Sequence, residues 1–471
     1  MVAEKLTPLA LLRFAAPVLV LAAGVWLRCW QIDYSFDADE VFSVHVARLP
    51  FAGMLAGAMA DTPHPPLHIV LLHFWCAAFG DSELAARSLS VLLSLGFLLV
   101  AWRLLRRFVG QWPALGALTI LAVSPLFVLY GQQARPYALI TLLAALNLLA
   151  FLRFLDAGDW RGRGLAWALS CAALLYAQYM GILFIAVELI YVLVAGSIRI
   201  RQFIACAALG CAPILPWALL AMGKSLAGLE DPLPQVDWMT PPASTDFVWF
   251  YVSIFGESQL LRVRWLLLFA ALVAALVMRR ALAQQIASRH ALLVALAVAP
   301  PLAMYLFSVL GDKPLFASRQ LLGAALAFVM VTALCAAALP RKLGHASLLA
   351  LIAWAATSVH HAFPAHVKPP WREIAEFVDA RFPARVTVAQ DWWIEVPFAH
   401  YSRGHLLPLA LRMHDDPAAA MLLLCRAARC AHTLEANGLT GRARRVQTWS
   451  WGSSGSLELF EVAARDGVAL P

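Results

Sequence analysis

The chain has 471 residues, of which 62% are hydrophobic and only 14% are charged, and its mean hydropathy is +0.74. Soluble globular proteins contain about 25% charged residues, so this composition excludes a soluble fold for most of the chain. The net charge of +8 does not indicate a nucleic-acid partner, because the basic residues are spread among short loops.

Long apolar segments recur along the chain, and several approach or exceed the roughly 20 residues that cross a bilayer. Backbone groups in lipid must satisfy one another, so each segment is predicted to be an α-helix. The first segment lacks a convincing small-residue cleavage site and is predicted to be a retained helix, not a signal peptide. We predict about eleven spans, at residues 10–30, 84–105, 113–130, 137–155, 165–180, 181–197, 202–221, 264–279, 291–310, 320–340 and 346–363.

The loops between these spans alternate in charge and predict the orientation of the chain. One set, which includes the loop with Arg103, Arg106 and Arg107, carries fifteen Lys and Arg residues, and the opposite set carries nine. The more basic set is predicted to face the cytoplasm. Residues 32–83 and the tail from residue 364 onward then lie on the outer face.

This alternation requires that residues 66–79 do not cross the membrane. The apolar stretch from Leu67 to Phe79 carries two histidines and is short for a span. The prolines of Pro65-Pro66 cannot lie inside a helix and are typical of a helix start. We therefore predict interfacial helical structure in the first outer loop.

Two features inside the apolar segments have structural explanations. The adjacent spans 165–180 and 181–197 require a tight turn at Gly181 and place Glu188 in the middle of the membrane. An acid at that depth is a functional candidate, although we favour a hydrogen-bonded packing role. Six of the eight cysteines lie in apolar segments and form no metal-ligand pattern.

Residues 364–471 are predicted to form a small α/β domain that follows a transmembrane domain of residues 1–363. A helix is expected at 371–382, a strand at 386–389, and a hairpin of 445–449 and 457–462 across the Gly-Ser turn between them. Cys425 and Cys430 lie in this domain. A disulfide and two free thiols are equally expected for them.

The predicted outer loops contain several side chains that could take part in catalysis or bind phosphate. A carboxylate can act as a general base, and arginine side chains suit phosphate oxygens. Glu83 and Arg87 have the i, i+4 spacing of a helical ion pair. Each motif alone is common in structural roles, but together they indicate a lipid-linked phosphate substrate at the membrane surface. The candidates are Asp37, Asp39, Glu40, His64, Glu83, Arg87, Arg135, Tyr137 and Arg319.

The order of these motifs resembles that of the GT-C membrane glycosyltransferases, particularly the glycosyltransferase family 39 type. That type includes protein O-mannosyltransferases and aminoarabinose transferases. The resemblance covers about a third of the chain, mainly from Trp26 to Tyr137. It is carried by Asp39-Glu40, His64-Pro65-Pro66-Leu67, Glu83 to Arg87, Ser124-Pro125, Gln133-Ala134-Arg135-Pro136-Tyr137, Ser318-Arg319 and Trp371-Arg372-Glu373-Ile374-Ala375.

The resemblance implies an inverting transferase that takes a sugar from a polyprenyl-phosphate carrier. Asp39 matches the residue expected to be the base, and Glu40 is its neighbour in the catalytic pair. Arg135, Tyr137 and Arg319 are expected at the donor phosphate. His64, Glu83 and Arg87 are expected to position the acceptor and the loops.

The expected partners are the lipid-linked donor, membrane lipid, and a lipid, glycan or protein acceptor with a free hydroxyl. Because the arginines can neutralise a departing phosphate, no cofactor and no metal are expected. The expected location is a bacterial inner membrane, with the active site and the C-terminal domain on the outer side.

Three alternatives remain open from the sequence. The first is a GT-C transferase that uses a divalent metal held by Asp37, Asp39 and Glu40. The second is a transporter or lipid translocase, although transporters bind their cargo near the midplane and often show internal repeats. The third is a non-catalytic membrane scaffold that presents the outer domain.

Overall fold

The structure is a computed structural model, and it describes residues 8–59, 64–157, 160–196, 200–226, 241–256, 288–311, 314–383, 385–415, 419–452 and 455–464. These residues are mostly helical, with one small sheet near the C-terminus. The predicted span 264–279 lies outside the described residues.

Sixteen α-helices precede residue 364 in the described part of the chain. They are α1 (Pro8–Cys29), α2 (Ala38–Arg48), α3 (Phe51–Ala58), α4 (Leu67–Phe79), α5 (Glu83–Phe108), α6 (Gln111–Val123), α7 (Pro125–Gln132), α8 (Tyr137–Ala157), α9 (Leu165–Ala177), α10 (Gly181–Ala195), α11 (Ile200–Cys211), α12 (Leu215–Leu226), α13 (Asp246–Ser253), α14 (Arg289–Leu310), α15 (Leu322–Ala338) and α16 (Arg341–Ser358).

The predicted spans within the described residues all coincide with helices, either single (α1, α5, α8, α9, α10, α14, α15, α16) or broken (α6 with α7, α11 with α12). By length and composition, five described spans could cross a bilayer, or six if α6 and α7 form one bent span. Four apolar helical stretches in the same residues are shorter, including α4 and α15. The chain is therefore a multi-pass membrane protein, and the total of eleven spans stays a prediction.

The predicted span 113–130 is not one straight helix. Helices α6 and α7 meet at Ser124 and differ in direction by 52°. Ser124 has the extended backbone that a residue before proline prefers, with φ −60° and ψ 125°. Pro125 has no N–H, so the carbonyl of Leu121 loses its normal helical donor.

Arg28 supplies the donors that this break removes. Arg28 is one of the nine Lys and Arg residues counted in the outer set of loops, but its side chain is fully buried in the helix bundle. Its guanidinium donates to Oγ of Ser94 and to the carbonyls of Gly24, Leu121, Ala122 and Phe127, at 2.6–3.3 Å. These bonds close the broken end of α6 and fix the start of α7.

Close helix packing forms the main hydrophobic core. Helix α5 packs against α6 and α8, α14 packs against α15, and α16 packs against α6. Glu188 of α10 is buried in this bundle and accepts a hydrogen bond of 2.9 Å from Nε1 of Trp167. The packing role favoured for Glu188 is confirmed.

In its described residues, the C-terminal domain contains five α-helices and a five-stranded sheet. Its strand order is β2-β1-β3-β5-β4, in which β1 is parallel to β2 and β3, while β5 is antiparallel to β3 and β4. The predicted helix, strand and closing hairpin are all present. The elements are α17 (Pro364–Val367), α18 (Trp371–Arg381), β1 (Thr387–Ala389), α19 (Trp392–Tyr401), β2 (Leu406–Pro408), α20 (Leu409–Asp415), β3 (Met421–Arg426), α21 (Ala427–Ala436), β4 (Ala443–Trp451) and β5 (Gly455–Val462).

Cys425 and Cys430 form a disulfide between the end of β3 and α21. The sequence left this pairing open, and the structure resolves it. The six cysteines of the apolar segments are free thiols. A structural disulfide is typical of a domain in an oxidising compartment.

Candidate active site at one end of the helix bundle

Helix α2 begins with a capping box that sets the position of Asp39. The carboxylate of Asp37 accepts a hydrogen bond from the backbone N–H of Glu40 at 2.9 Å. Oε2 of Glu40 accepts in return from the N–H of Asp37 at 3.3 Å. These reciprocal bonds satisfy donors at the helix start and fix the first turn. Asp39 lies inside that turn with a half-buried side chain.

Glu40 is fully buried and is the centre of an ion-pair network. Its oxygens accept from Nε and Nη2 of Arg87 at 2.8 and 2.7 Å, from the N–H of Ala134 at 2.9 Å, and from Nζ of Lys368 at 2.5 Å. Burial would raise the pKa of Glu40, but the charges of Arg87 and Lys368 outweigh it and hold that pKa well below its usual range. A carboxylate held this way joins three chain segments and is poorly suited to proton transfer.

Arg87 has the same structural character. Besides binding Glu40, it donates to the carbonyls of Ile32, Tyr34 and Ser35 at 2.9, 2.5 and 3.0 Å. The side chain is 1% exposed. Arg87 therefore fastens the connection between α1 and α2 onto α5.

The predicted i, i+4 ion pair between Glu83 and Arg87 is wrong. Glu83 accepts instead from Nη2 of Arg372 at 2.6 Å and from the hydroxyl of Tyr401 at 2.7 Å. The reason is that buried Glu40 needs a bidentate cation, and Arg87 satisfies it. Glu83, at the start of α5, is left to contact the C-terminal domain.

Arg135 lies against the first turn of α2 and is buried. Its Nη1 donates to Oγ of Ser43 at 2.9 Å and contacts the carbonyl of Asp39 at 3.4 Å. Its Nη2 lies 3.4 Å from Nδ1 of His64. The ring of His64 packs edge-on against Tyr137, with centroids 5.9 Å apart. Four of the predicted site residues therefore form one cluster.

Arg319 joins this cluster from a distant part of the chain. It lies in a short 3₁₀ turn at Ser318–Gln320, just before α15. Interaction with Tyr137 raises the pKa of Arg319, and Tyr130 and Asp39 add to this effect, while burial and Arg135 oppose it. The predicted base and both predicted phosphate-binding arginines thus lie within electrostatic range of one another.

Sequence reasoning missed Tyr130 and Lys368. Tyr130 packs on Tyr137 with ring centroids 4.9 Å apart, and only its position one turn before the Gln133–Tyr137 motif hinted at this. Lys368 is 4% exposed and binds Oδ2 of Asp37 at 2.9 Å as well as Glu40. The signal for Lys368 was a lone cation before Pro369-Pro370, where the last span meets the outer domain.

A divalent metal would face cations at the acidic turn. Asp37 and Glu40, two ligands of the metal alternative, both contact Lys368, and Glu40 also binds Arg87. Burial raises the pKa of Asp37, while Lys368 opposes this shift. Within the described residues, no three His, Cys, Asp or Glu side chains are arranged to hold a metal ion.

The C-terminal domain docks on the segment that carries the acidic turn. The hydroxyl of Tyr401 accepts from the N–H of Phe36 at 2.7 Å. His400 and His45 share a hydrogen bond of 3.0 Å between their rings. Burial lowers the pKa of both imidazoles, and Arg48 lowers each of them further. At least one of the two imidazoles must be neutral, because the bond needs a ring nitrogen that accepts.

Comparison with known families adds a match over a third of the chain. Residues 63–219 match the family described as dolichyl-phosphate-mannose-protein mannosyltransferase. The matched region contains His64, Glu83, Arg87, Arg135 and Tyr137, whereas the other site residues lie outside it. No curated protein matches the chain in sequence.

Two solved structures share the fold across nearly the whole chain. One is ArnT from Cupriavidus metallidurans bound to undecaprenyl phosphate, with a TM-score of 0.56, 14% identity, and coverage of 96% of this chain and 99% of that one. The other is the same protein in the apo state, with a TM-score of 0.56, 14% identity, and coverage of 94% and 97%. The chain therefore has the fold of ArnT, and a third of it is similar in sequence to the mannosyltransferase family.

Proposed function

We propose that the protein transfers a sugar from a polyprenyl-phosphate donor to a hydroxyl group, with inversion at the anomeric carbon and with Asp39 as the general base. The observation that carries the proposal is the convergence of Asp39, Arg135 and Arg319 from three distant chain segments. A base beside two cations matches a reaction in which an alcohol loses a proton and a phosphate departs.

The proposed mechanism assigns one task to each group. Asp39 takes the proton of the acceptor hydroxyl as its oxygen attacks the anomeric carbon. The bond to the carrier phosphate breaks, and Arg135 and Arg319 stabilise the negative charge that develops on the phosphate. The family resemblance paired Glu40 with Asp39 as a catalytic residue. In the proposed mechanism, Glu40 holds the helix turn instead.

The shared fold supports the donor class, because ArnT has been solved with undecaprenyl phosphate bound. The acceptor is a lipid, a glycan or a protein with a free hydroxyl. Transfer should be measured with the purified protein in liposomes, using a panel of polyprenyl-phosphate sugars and these acceptor classes. A new glycosidic bond of inverted configuration is expected, and the absence of transfer from every donor would contradict the proposal.

The same assay separates the alternatives. Activity that a chelator removes and manganese or magnesium restores would favour the metal-dependent transferase, whereas we expect activity to survive chelation. Movement of the lipid across the bilayer without a new glycosidic bond would favour the translocase. A protein that does neither would be a scaffold.

We place the site and the C-terminal domain on the outer side of a bacterial inner membrane. The loop charges support this orientation, and so does the Cys425–Cys430 disulfide. A cysteine introduced at the exposed Arg403 should react with an impermeant thiol reagent once the outer membrane is opened. Labelling that also needs a permeabilised inner membrane would reverse the orientation.

Replacing either arginine of the cluster should weaken donor binding. A hydrogen bond to a charged group contributes about 1.5–3 kcal/mol, so Arg135→Ala and Arg319→Ala should each raise the donor Kd roughly tenfold or more. Binding of a polyprenyl-phosphate analogue to purified variants measures this effect.

Arg48→Ala is the matched control for donor binding. Arg48 lies on α2 but pairs with Asp81 at 2.8 Å, with 56% of its side chain exposed. Its loss should leave the donor Kd unchanged. If Arg135→Ala and Arg319→Ala bind the donor as the wild type does, both arginines are structural.

A further inference from the structure

Lys368 is a buried cation that the proposed mechanism does not use, and it connects two parts of the protein. We propose that Lys368 is a positioning residue for the transfer reaction, which balances the charge of the Asp39 turn and joins that turn to the docked C-terminal domain. This inference rests on the proposed function, since it assigns a role in the same reaction.

Lys368 is buried and forms two ion pairs. Nζ lies 2.9 Å from Oδ2 of Asp37 and 2.5 Å from Oε2 of Glu40, and the residue is 4% exposed. A long, flexible lysine loses considerable side-chain entropy when it is ordered in this way. A buried ammonium group also needs charged partners, and here it has two.

The backbone of Lys368 is fixed as firmly as its side chain. Its N–H donates to the carbonyl of Pro364 at 2.8 Å, and its carbonyl accepts from the hydroxyl of Tyr34 at 3.3 Å. Pro369-Pro370 and helix α18 follow directly, so the ammonium group binds the acidic turn at the point where the C-terminal domain begins. Lys368 therefore links the acidic turn to the start of that domain.

Charge balance gives this arrangement a chemical consequence. Asp37, Asp39 and Glu40 place three carboxylates in one helical turn, and Arg87 is bound in bidentate fashion to Glu40. Lys368 contacts Asp37 and shares Glu40. Without it, a surplus negative charge would remain in the turn that carries the proposed base, where Arg135 and Arg319 are the other charged neighbours. A surplus negative charge disfavours the ionised form of a neighbouring carboxyl group.

The pH–rate profile of the full-length protein in liposomes tests this role. Lys368→Met removes the charge and keeps the bulk, so the acidic limb should move to higher pH by about one unit. Lys368→Arg should return the limb towards its wild-type position. Asp37→Asn/Lys368→Met should also return it, because one charge of each sign is removed and Asn remains a good N-cap.

Arg372→Met is the matched control. It removes a cation of the same docking interface that pairs with Glu83 at 2.6 Å and has no contact with Asp37 or Glu40. The acidic limb of the pH–rate profile of Arg372→Met should coincide with that of the wild type. If the limb of Lys368→Met also coincides with the wild type, or if the double variant stays shifted, the proposal is overturned.

A second measurement does not depend on activity. Limited proteolysis of purified Lys368→Met should cleave the junction of span and domain faster than in the wild type and in Lys368→Arg. Equal cleavage rates in all three would overturn the positioning contact. If the wild type transfers no sugar from any donor, the proposed function fails, and the protease result still decides whether Lys368 fastens the domain.

Discussion

Asp39→Asn should reduce turnover by about a hundred- to ten-thousand-fold, the usual contribution of a general base. The substitution keeps the shape of the side chain and removes its basicity. Donor binding and melting temperature should stay close to those of the wild type, since Asp39 contributes its backbone carbonyl, not its carboxylate, to the contacts with Ser43 and Arg135. Turnover of the purified variant, measured with a donor that the wild type accepts, checks this result.

Asp37→Asn is the control for Asp39. Asn is as good an N-cap as Asp, so the start of α2 is kept, and turnover should fall far less than in Asp39→Asn. An Asp39→Asn protein that keeps more than about a tenth of wild-type turnover would rule out the base role, given the magnitude of base catalysis. A loss that appears in melting temperature instead would make Asp39 structural.

Arg87→Met should destabilise the protein by about 3–5 kcal/mol, the usual cost of removing one partner of a buried ion pair. The substitution leaves Glu40 buried with Lys368 as its remaining cation, and it removes the donors to three backbone carbonyls. Denaturant unfolding of the purified protein measures the change in the free energy of unfolding.

Two comparisons make the Arg87 result specific. Arg103→Met replaces an exposed arginine of the same helix, and its effect should stay within about 0.5 kcal/mol. Glu40→Gln/Arg87→Met should be more stable than Arg87→Met alone, because it leaves no surplus charge in the buried site. If Arg87→Met unfolds like Arg103→Met, the network around Glu40 does not stabilise the fold.

The sequence predicted most accurately those structural features that depend on residues close together in the chain. Helix α4 has its predicted bounds because an apolar run starts after Pro65-Pro66 and ends before Gly80, whose φ of +87° suits glycine. The hairpin of β4 and β5 follows from alternating residues around a Gly-rich turn. The grouping of Arg135 with His64 and Tyr137 was also predicted, since a family pattern links them and one end of the bundle collects them.

Prediction failed where distant residues compete for one partner. The i, i+4 spacing of Glu83 and Arg87 allows a pair, but it carries no information about buried Glu40, which binds Arg87 instead. Hydropathy likewise did not reveal the bend at Ser124, because a kinked span and a straight one have the same composition. The burial of Arg28 follows from that bend and was hidden for the same reason.

The carboxylate of Glu40 also imposes an order on biosynthesis. Its cation partner Lys368 lies 328 residues later in the chain, so the ribosome must add nearly all the spans before that contact can form. At about 5–20 residues per second, the interval is roughly 15–60 s. Of the two cations that contact Glu40, only Arg87 is present in the nascent chain for most of that interval. The acidic turn therefore reaches its final arrangement only after Lys368 has been added, so a truncated or nascent chain carries an incomplete ion-pair network.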